Sequence, residues 1–598
     1  MLSFIRGTLK QFVHRPPHRS FCCIDPTVTL AQLQLPLVNH KKYNYHIVLN
    51  RTYTTSQLNY CIAHRVLHNS MSGRYKFTRA DFGDLTVKPL HIDLYIDVID
   101  TRVNITTTTT FLYNKSSGND LNEFKLNANG AMSIHQFSRV NGNITQLQTN
   151  GKPSDFVAHV QSFDLNNIKQ LQFNHDKAND SVTVTLDTPV KAGDQFTVQS
   201  RNTVYPNNSV LEGIYFDYTP TNCPQTMITQ CQQYGFQRIV PSVDQMPSKA
   251  YYTTTIIADS RYTNVIASGD LDDQYVDSKS QLPAPHNESA DERPSDVPSD
   301  IKRVIYKYNS HITNMASYLF FLGCGTYSTY RRSVEYPTKS GYHQIQIELL
   351  VFKGLVADEY CISAVNSLND HIIWNYLSTG PEQYQHSQER KKIYELIKQR
   401  DQLIESSSDP SKLKSVRDEL SQLCGAWNKF GYMYTGRVYR EIAMENSDYG
   451  GMENVGNTTI ISSRITASPL QTDGGYLYME GVKIHEFYHN INGSQVTGQS
   501  PFEIWLNEAV TVHVQRQREE DMFGHDFMRL QSVKSAFLPS SGPMVCDTLT
   551  DRLLVHDTLQ FMYTNIIDIL YCTYVYRVLI APLMVCQLSQ MDLIVPRN

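Results

Sequence analysis

Between residues 84 and 330 apolar side chains recur at every second position. Ile92, Leu94, Ile96 and Val98 alternate with polar neighbours, and Val182, Val184 and Leu186 do the same. A period of two marks half-buried strands. The threonine-rich run at 104–111 adds β-branched side chains, whose stiff χ1 suits a pleated sheet. These segments predict a large antiparallel β domain over 81–330. Within it, residues 276–302 are polar, proline-punctuated and mostly acidic. They hold too little apolar area to order themselves, so a mobile surface insertion is expected there.

Past residue 350 the period becomes helical. Ile393, Leu396, Ile397, Leu403 and Ile404 fall at helical intervals in a segment otherwise full of Lys, Glu, Gln and Arg. The turn Ser406–Pro410 follows, and Asp409–Pro410 suits the start of a second helix with Leu413, Val416, Leu420 and Leu423 as its apolar stripe. This predicts a helical hairpin at about 380–427, read as a packing device inside a second domain over 331–598. Residues 566–590 are apolar but interrupted by Asp568 and Arg577. Charges near the middle of a lone span are costly, so a buried helix is expected rather than a membrane span.

Composition narrows the class. At 598 residues the chain exceeds one ordinary domain, and 41% hydrophobic with 19% charged residues is ordinary for a globular protein with real cores. A net charge of -5 gives no electrostatic case for nucleic acid or an anionic membrane. Eleven cysteines with no CxxC pair argue for reduced thiols in an intracellular compartment. Residues 1–80 carry eleven Lys or Arg and a single acid, Asp25. Such a leader has the composition of a mitochondrial or plastid transit peptide; the alternative is a disordered basic tail on a cytoplasmic protein.

The chemistry concentrates at 485–508. His485 and His489 in HEFYH stand one helical turn apart on one face, so both imidazoles can reach one metal ion. Glu486 beside them is placed to act as general base on a water. After eighteen intervening residues His489 is followed by Glu508, in a stretch whose periodicity (Trp505, Leu506, Ala509, Val510, Val512) predicts a second helix. Two histidines and a carboxylate leave one coordination position open, the donor set of a hydrolytic zinc site with one ion per chain.

The spacing HExxH-x18-E, preceded by GGMEN at Gly450–Asn454, resembles the aminopeptidase N family of gluzincins, and HN-x-x-G-x-x-VT looks closest to its bacterial branch. Upstream, Ile228–Asp259 is similar to the segment that joins the family's β domain to its active site. The resemblance covers about residues 80–565 and implies an α+β multidomain fold: a saddle-like antiparallel β domain, then a thermolysin-like α/β catalytic domain. It further implies that Glu453, with the side-chain oxygen of Gln230, binds the α-amine of a peptide substrate. Gly450, Gly451, Met452 and Asn454 of the same motif would flank that peptide. Two departures stand out. Tyr449 occupies the position before the motif, where it would narrow the pocket for the first side chain. The oxyanion-stabilising tyrosine matches Tyr571 by spacing, sixty-three residues beyond Glu508, with Tyr563 the nearest competitor. The sequence ends at Asn598, short of the family's β-sandwich and C-terminal helical domain.

Three readings follow. The first is a zinc-dependent aminopeptidase. The second is a catalytically silent, zinc-stabilised binding protein, motivated by the atypical tail. The third, a lipid epoxide hydrolase as one relative is, has no specific support in these residues. Ala443–Asn446 spells a second AMEN, read as coincidence because it lacks the preceding glycine and stands farther from His485.

Overall fold

A computed structural model describes residues 82–114, 120–140, 168–276, 303–309, 314–380, 387–407, 409–427 and 430–537. The basic leader, residues 277–302 of the insertion, the apolar stretch 566–590, Tyr563 and Tyr571 lie outside the described residues.

The period-two segments form a ten-stranded sheet. Ile92, Leu94, Ile96 and Val98 all turn into the core from the strand Val87–Ile99. That strand pairs antiparallel with Arg102–Tyr113 but parallel with Tyr251–Asp259, so the domain is mixed rather than purely antiparallel. A parallel neighbour needs a long crossover, and here the intervening chain supplies it with most of the other strands. In the threonine run, Thr106 to Thr110 are all buried. Two of their hydroxyls find partners on the next strand: Gln199 Nε2 donates to Thr108 Oγ1 at 3.2 Å, and Thr110 pairs with Thr197 at 3.0 Å. A four-stranded sheet of short strands, among them Met227–Gln230, leads onward to the second domain.

The second domain is built on a five-stranded sheet whose edge is the two-residue strand Gly451–Met452, antiparallel to Asn457–Ile461. Its helices are α1 (Asp358–Ser378), α2 (Ser387–Ser406), α3 (Pro410–Ala426), α4 (Ser462–Ile465), α5 (Asp473–Tyr488), α6 (Ile504–Phe523) and α7 (His525–Phe537). The hairpin is α2 and α3. Asp409 caps α3 by accepting from Ser411 N at 3.1 Å and Lys412 N at 3.0 Å, with Pro410 in the first turn where it sacrifices no bond. Ile393, Ile397, Val416 and Leu420 bury the stripe against the sheet's core with Tyr336, Ile347 and Tyr376. Met452, Val455 and Ile504 belong instead to the core of the β domain, so the GGMEN segment and the start of α6 rest on that domain. No described helix is long and apolar enough to cross a membrane.

Candidate active site and metal centre

Thr472 caps α5, its hydroxyl accepting from Gly475 N at 3.2 Å, and the helix ends at the ligand pair: His485 in its last turn, His489 as C-cap. Glu508 projects from the start of α6, which packs against α5. The Nε2 atoms of His485 and His489 stand 3.1 Å apart, and Glu508 Oε2 lies 3.2 and 3.5 Å from them. Ligand bonds of about 2.0–2.1 Å in a tetrahedron put donor atoms about 3.3–3.4 Å apart. The three atoms already hold that spacing.

The outer nitrogens explain why. His489 donates from Nδ1 to Asn492 O at 2.7 Å, and His485 from Nδ1 to Gln515 Oε1 at 3.0 Å. Each ring is thereby set in the tautomer that presents Nε2 as a lone pair. Three electron-rich atoms in mutual contact repel unless a cation joins them. Without a metal that cation is a proton. Burial opposes a charged His489, but Glu508, Glu453 and Glu486 around it push its pKa up to about 10. Burial likewise opposes an ionised Glu508, but His489 and His485 hold it well below the usual carboxylate range. The cluster can hold a metal ion.

Two more carboxylates close around His489. Glu453, Glu486 and His489 present ligand-type atoms within 4.8 Å of one another, and all three residues are buried. Among the described residues Glu453 Oε1 and Glu486 Oε2 have no hydrogen-bond partner, and neither side-chain polar atom of Asn454 has one. Burial drives both carboxyls above their ordinary range, Glu486 far above, while His489 pulls the other way. Gly451 passes over Glu486 so closely that any Cβ would strike its Oε1. Gln230 donates from Nε2 to Met452 Sδ at 3.4 Å, which leaves its amide oxygen as the acceptor end. Gly450 lies against Arg464 and Tyr478, whose guanidinium and ring stack at 3.7 Å. Tyr449 is partly buried, and its phenol is pushed up first by that burial and then by Glu212 and Asp448. The second AMEN closes the strand Val438–Met444, and just past its end Glu445 N and Asn446 N both donate to Asp217, at 3.1 and 2.8 Å.

Sequence reasoning missed the residues that fasten the loop after His489. Tyr318 donates its hydroxyl to Gly493 O at 3.0 Å, and Lys249 Nζ donates to Ser494 O at 2.8 Å and Gln495 O at 2.9 Å. Both come from the β side of the chain. Asn492 Nδ2 reaches Leu506 O at 3.3 Å and also Asn507 O, tying the same loop to the start of α6.

Known proteins are similar to this chain. The pattern of the Peptidase M1 N-terminal domain matches residues 89–283, and that of the Peptidase family M1 domain matches 419–551. Aminopeptidase N of Haemophilus influenzae is 25% identical over 417 residues, 67% of this chain and 36% of that protein. Aminopeptidase N of Escherichia coli is 24% identical over 376 residues, 60% of this chain and 32% of that protein. This chain therefore spans well under half the length of the relatives it matches. The crystal structure of Legionella pneumophila aminopeptidase A in complex with aspartic acid shares the fold, with a TM-score of 0.52 at 18% identity over 81% of this chain and 45% of that one. With both domain patterns in chain order and together spanning more than half of its residues, the chain belongs to peptidase family M1, in its aminopeptidase N-like branch.

Proposed function

We propose that this protein is a zinc-dependent aminopeptidase that removes single residues from the amino terminus of peptides. The observation that carries the reading is the pair of buried carboxylates, Glu453 and Glu486, each with one oxygen that lacks a partner among the described residues, beside the His485, His489 and Glu508 cluster. Buried acids without counterions are costly, and a site built this way awaits cations. One would be the metal; the other would be the substrate's α-ammonium.

Zinc, when bound by His485, His489 and Glu508, supplies Lewis acidity toward the scissile carbonyl. The protein does the rest. Glu453 and the amide oxygen of Gln230 receive the α-ammonium, so only a peptide with a free terminus is anchored one residue from the metal. The edge strand Gly451–Met452 offers backbone groups to a peptide lying as an added strand. Glu486 takes a proton from the attacking water and returns it to the departing amine. Tyr571 is the residue proposed, on spacing alone, to donate to the oxyanion. Turnover of an amino-acid anilide, lost with chelator and restored by zinc, tests the reading. Glu486→Gln should keep zinc but lose turnover; full activity in that variant would sink the assignment.

The same observations support, with one assumption fewer, a second reading: a zinc-stabilised binding protein without turnover. The ligand cluster and the acid pair serve metal and amine binding alone. A parent that binds one zinc, loses thermal stability with chelator and never cleaves the anilide would establish it.

A further inference from the structure

His485 has an unusual outer partner. Its Nδ1 proton goes to the amide oxygen of Gln515 at 3.0 Å, and Gln515 Nε2 in turn donates to Glu519 Oε1 at 2.8 Å. Gln515 and Glu519 lie one turn apart on α6, and Gln515 follows Glu508 by two turns, so all three share a face. Glu519 is 8% exposed. Across from them on α5, one turn before His485, is Gly481. A Cβ there would collide with both Glu519 Oε1 and Gln515 Nε2. The pair therefore rests on bare helix backbone.

We propose that Gln515 and Glu519 act together as a positioning relay for the metal ligand His485. The relay sets the ring's tautomer without bringing a charge against the ring. The inference rests on the reading of His485 as a metal ligand. An amide side chain can face the imidazole with either end. With NH2 forward, Nδ1 must accept, Nε2 carries the proton, and the ring cannot ligate. Glu519 Oε1 accepts from the NH2 end, which turns the amide oxygen toward His485. A carboxylate at 515 would fix the same tautomer but raise the imidazole's basicity. The amide keeps the orientation and leaves out the charge. His489 is treated alike, since it donates to the neutral carbonyl of Asn492. At both rings the charged contact is thus left to Glu508.

Zinc affinity, measured by competition with a chromophoric chelator on the full chain, tests this alongside melting of the metal-free protein. Gln515→Met keeps the volume and removes the acceptor. It should weaken zinc about ten- to a hundredfold, with the metal-free melting temperature little changed. Glu519→Gln frees the amide to flip and should cost less, but measurably. Gly481→Ala, which dislodges the pair, should resemble Gln515→Met. The exchange Gln515→Glu with Glu519→Gln restores an acceptor, now charged, and should bind zinc at least as tightly as the parent. Parent-like affinity in Gln515→Met overturns the relay while leaving the metal reading intact. So does an exchange variant that melts normally without recovering affinity. A parent that binds no zinc overturns the metal reading and the relay with it.

Discussion

Glu453 and Glu445 share a four-residue context, Met-Glu-Asn after a small residue, and the fold gives them opposite lives. Glu445 offers its backbone N–H to Asp217 in a bend, whereas Glu453 buries an oxygen that no described residue satisfies. Leaving a buried charge unpaired costs several kcal/mol, so Glu453 is expected to be retained for a ligand rather than for the fold. Glu453→Gln should leave the metal-free protein as stable as the parent or more so, while kcat/KM for a free-amine anilide falls at least a hundredfold. Glu445→Ala should change that ratio little. Acetylating the substrate should mimic the first variant, and equal cleavage of acetylated and free peptides would refute amine recognition. The clustering of His485, His489 and Glu508 was legible in sequence because its geometry is local: one helical turn for the histidines, one helix start for Glu508. Gln515 was readable by the same rule, two turns beyond Glu508, and was passed over because a glutamine advertises no chemistry. Glu453 and Gln230 could be placed only through the family resemblance, since nothing periodic links them to residue 485. Lys249 and its loop, 245 positions apart, leave no local trace at all.

At the scale of elements, period two and period 3.6 sufficed to find the strands and the α2–α3 hairpin, because each reports a face that one element buries. The parallel pairing of Val87–Ile99 with Tyr251–Asp259 was invisible for the converse reason: register between distant strands is decided by packing, not by either strand's own pattern. One misfit within a helix did carry a message. Lys483 interrupts the apolar run Val482–Ile484 of α5, and it is fully buried in an ion pair with Glu441 on the strand Val438–Met444. The pair sets the ligand helix against the sheet. Burial raises the Glu441 pKa and Lys483 draws it back down. Lys483→Met should therefore strand a buried carboxylate and cost about 3–5 kcal/mol in urea unfolding. Adding Glu441→Leu should recover most of that loss, because a well-packed apolar pair can replace a buried ion pair. A double variant as unstable as the single one would mean that the shape of the pair, not its desolvation, sets the cost.

Across the whole molecule, the cluster of His485, His489 and Glu508 lies where the β domain meets the helices, and the β domain reaches it through a short chain of contacts. Asp244 accepts from Gln237 N at 2.9 Å and from Ser317 Oγ at 2.6 Å, and the next residue, Tyr318, donates to Gly493 O beside His489. Burial pushes the Asp244 pKa up to about 7, with Ser317 and Gln237 pulling it down. The native state thus keeps this proton over a range, about pH 4–7, in which the unfolded chain has lost it. Asp244 contributes fully below that range, and its contribution is lost as the pH rises through it, by at most about 1.4 kcal/mol per unit. Asp244→Asn has no such titration, so its stability relative to the parent should improve steadily between pH 4 and 7; a constant difference would mean that Asp244 stays ionised when folded. Lys249 is the second link, and its ammonium spans two successive carbonyls of the loop that also holds Asn492 O against His489. Lys249→Met should release Ser494 and Gln495 without disturbing either core. Hydrogen exchange should then quicken at residues 490–498 but not in the ten-stranded sheet, and zinc should dissociate faster because the carbonyl that orients His489 is no longer fixed. Unchanged exchange in that loop, or accelerated exchange throughout the β domain, would show that Lys249 supports the fold at large rather than the placement of the second histidine.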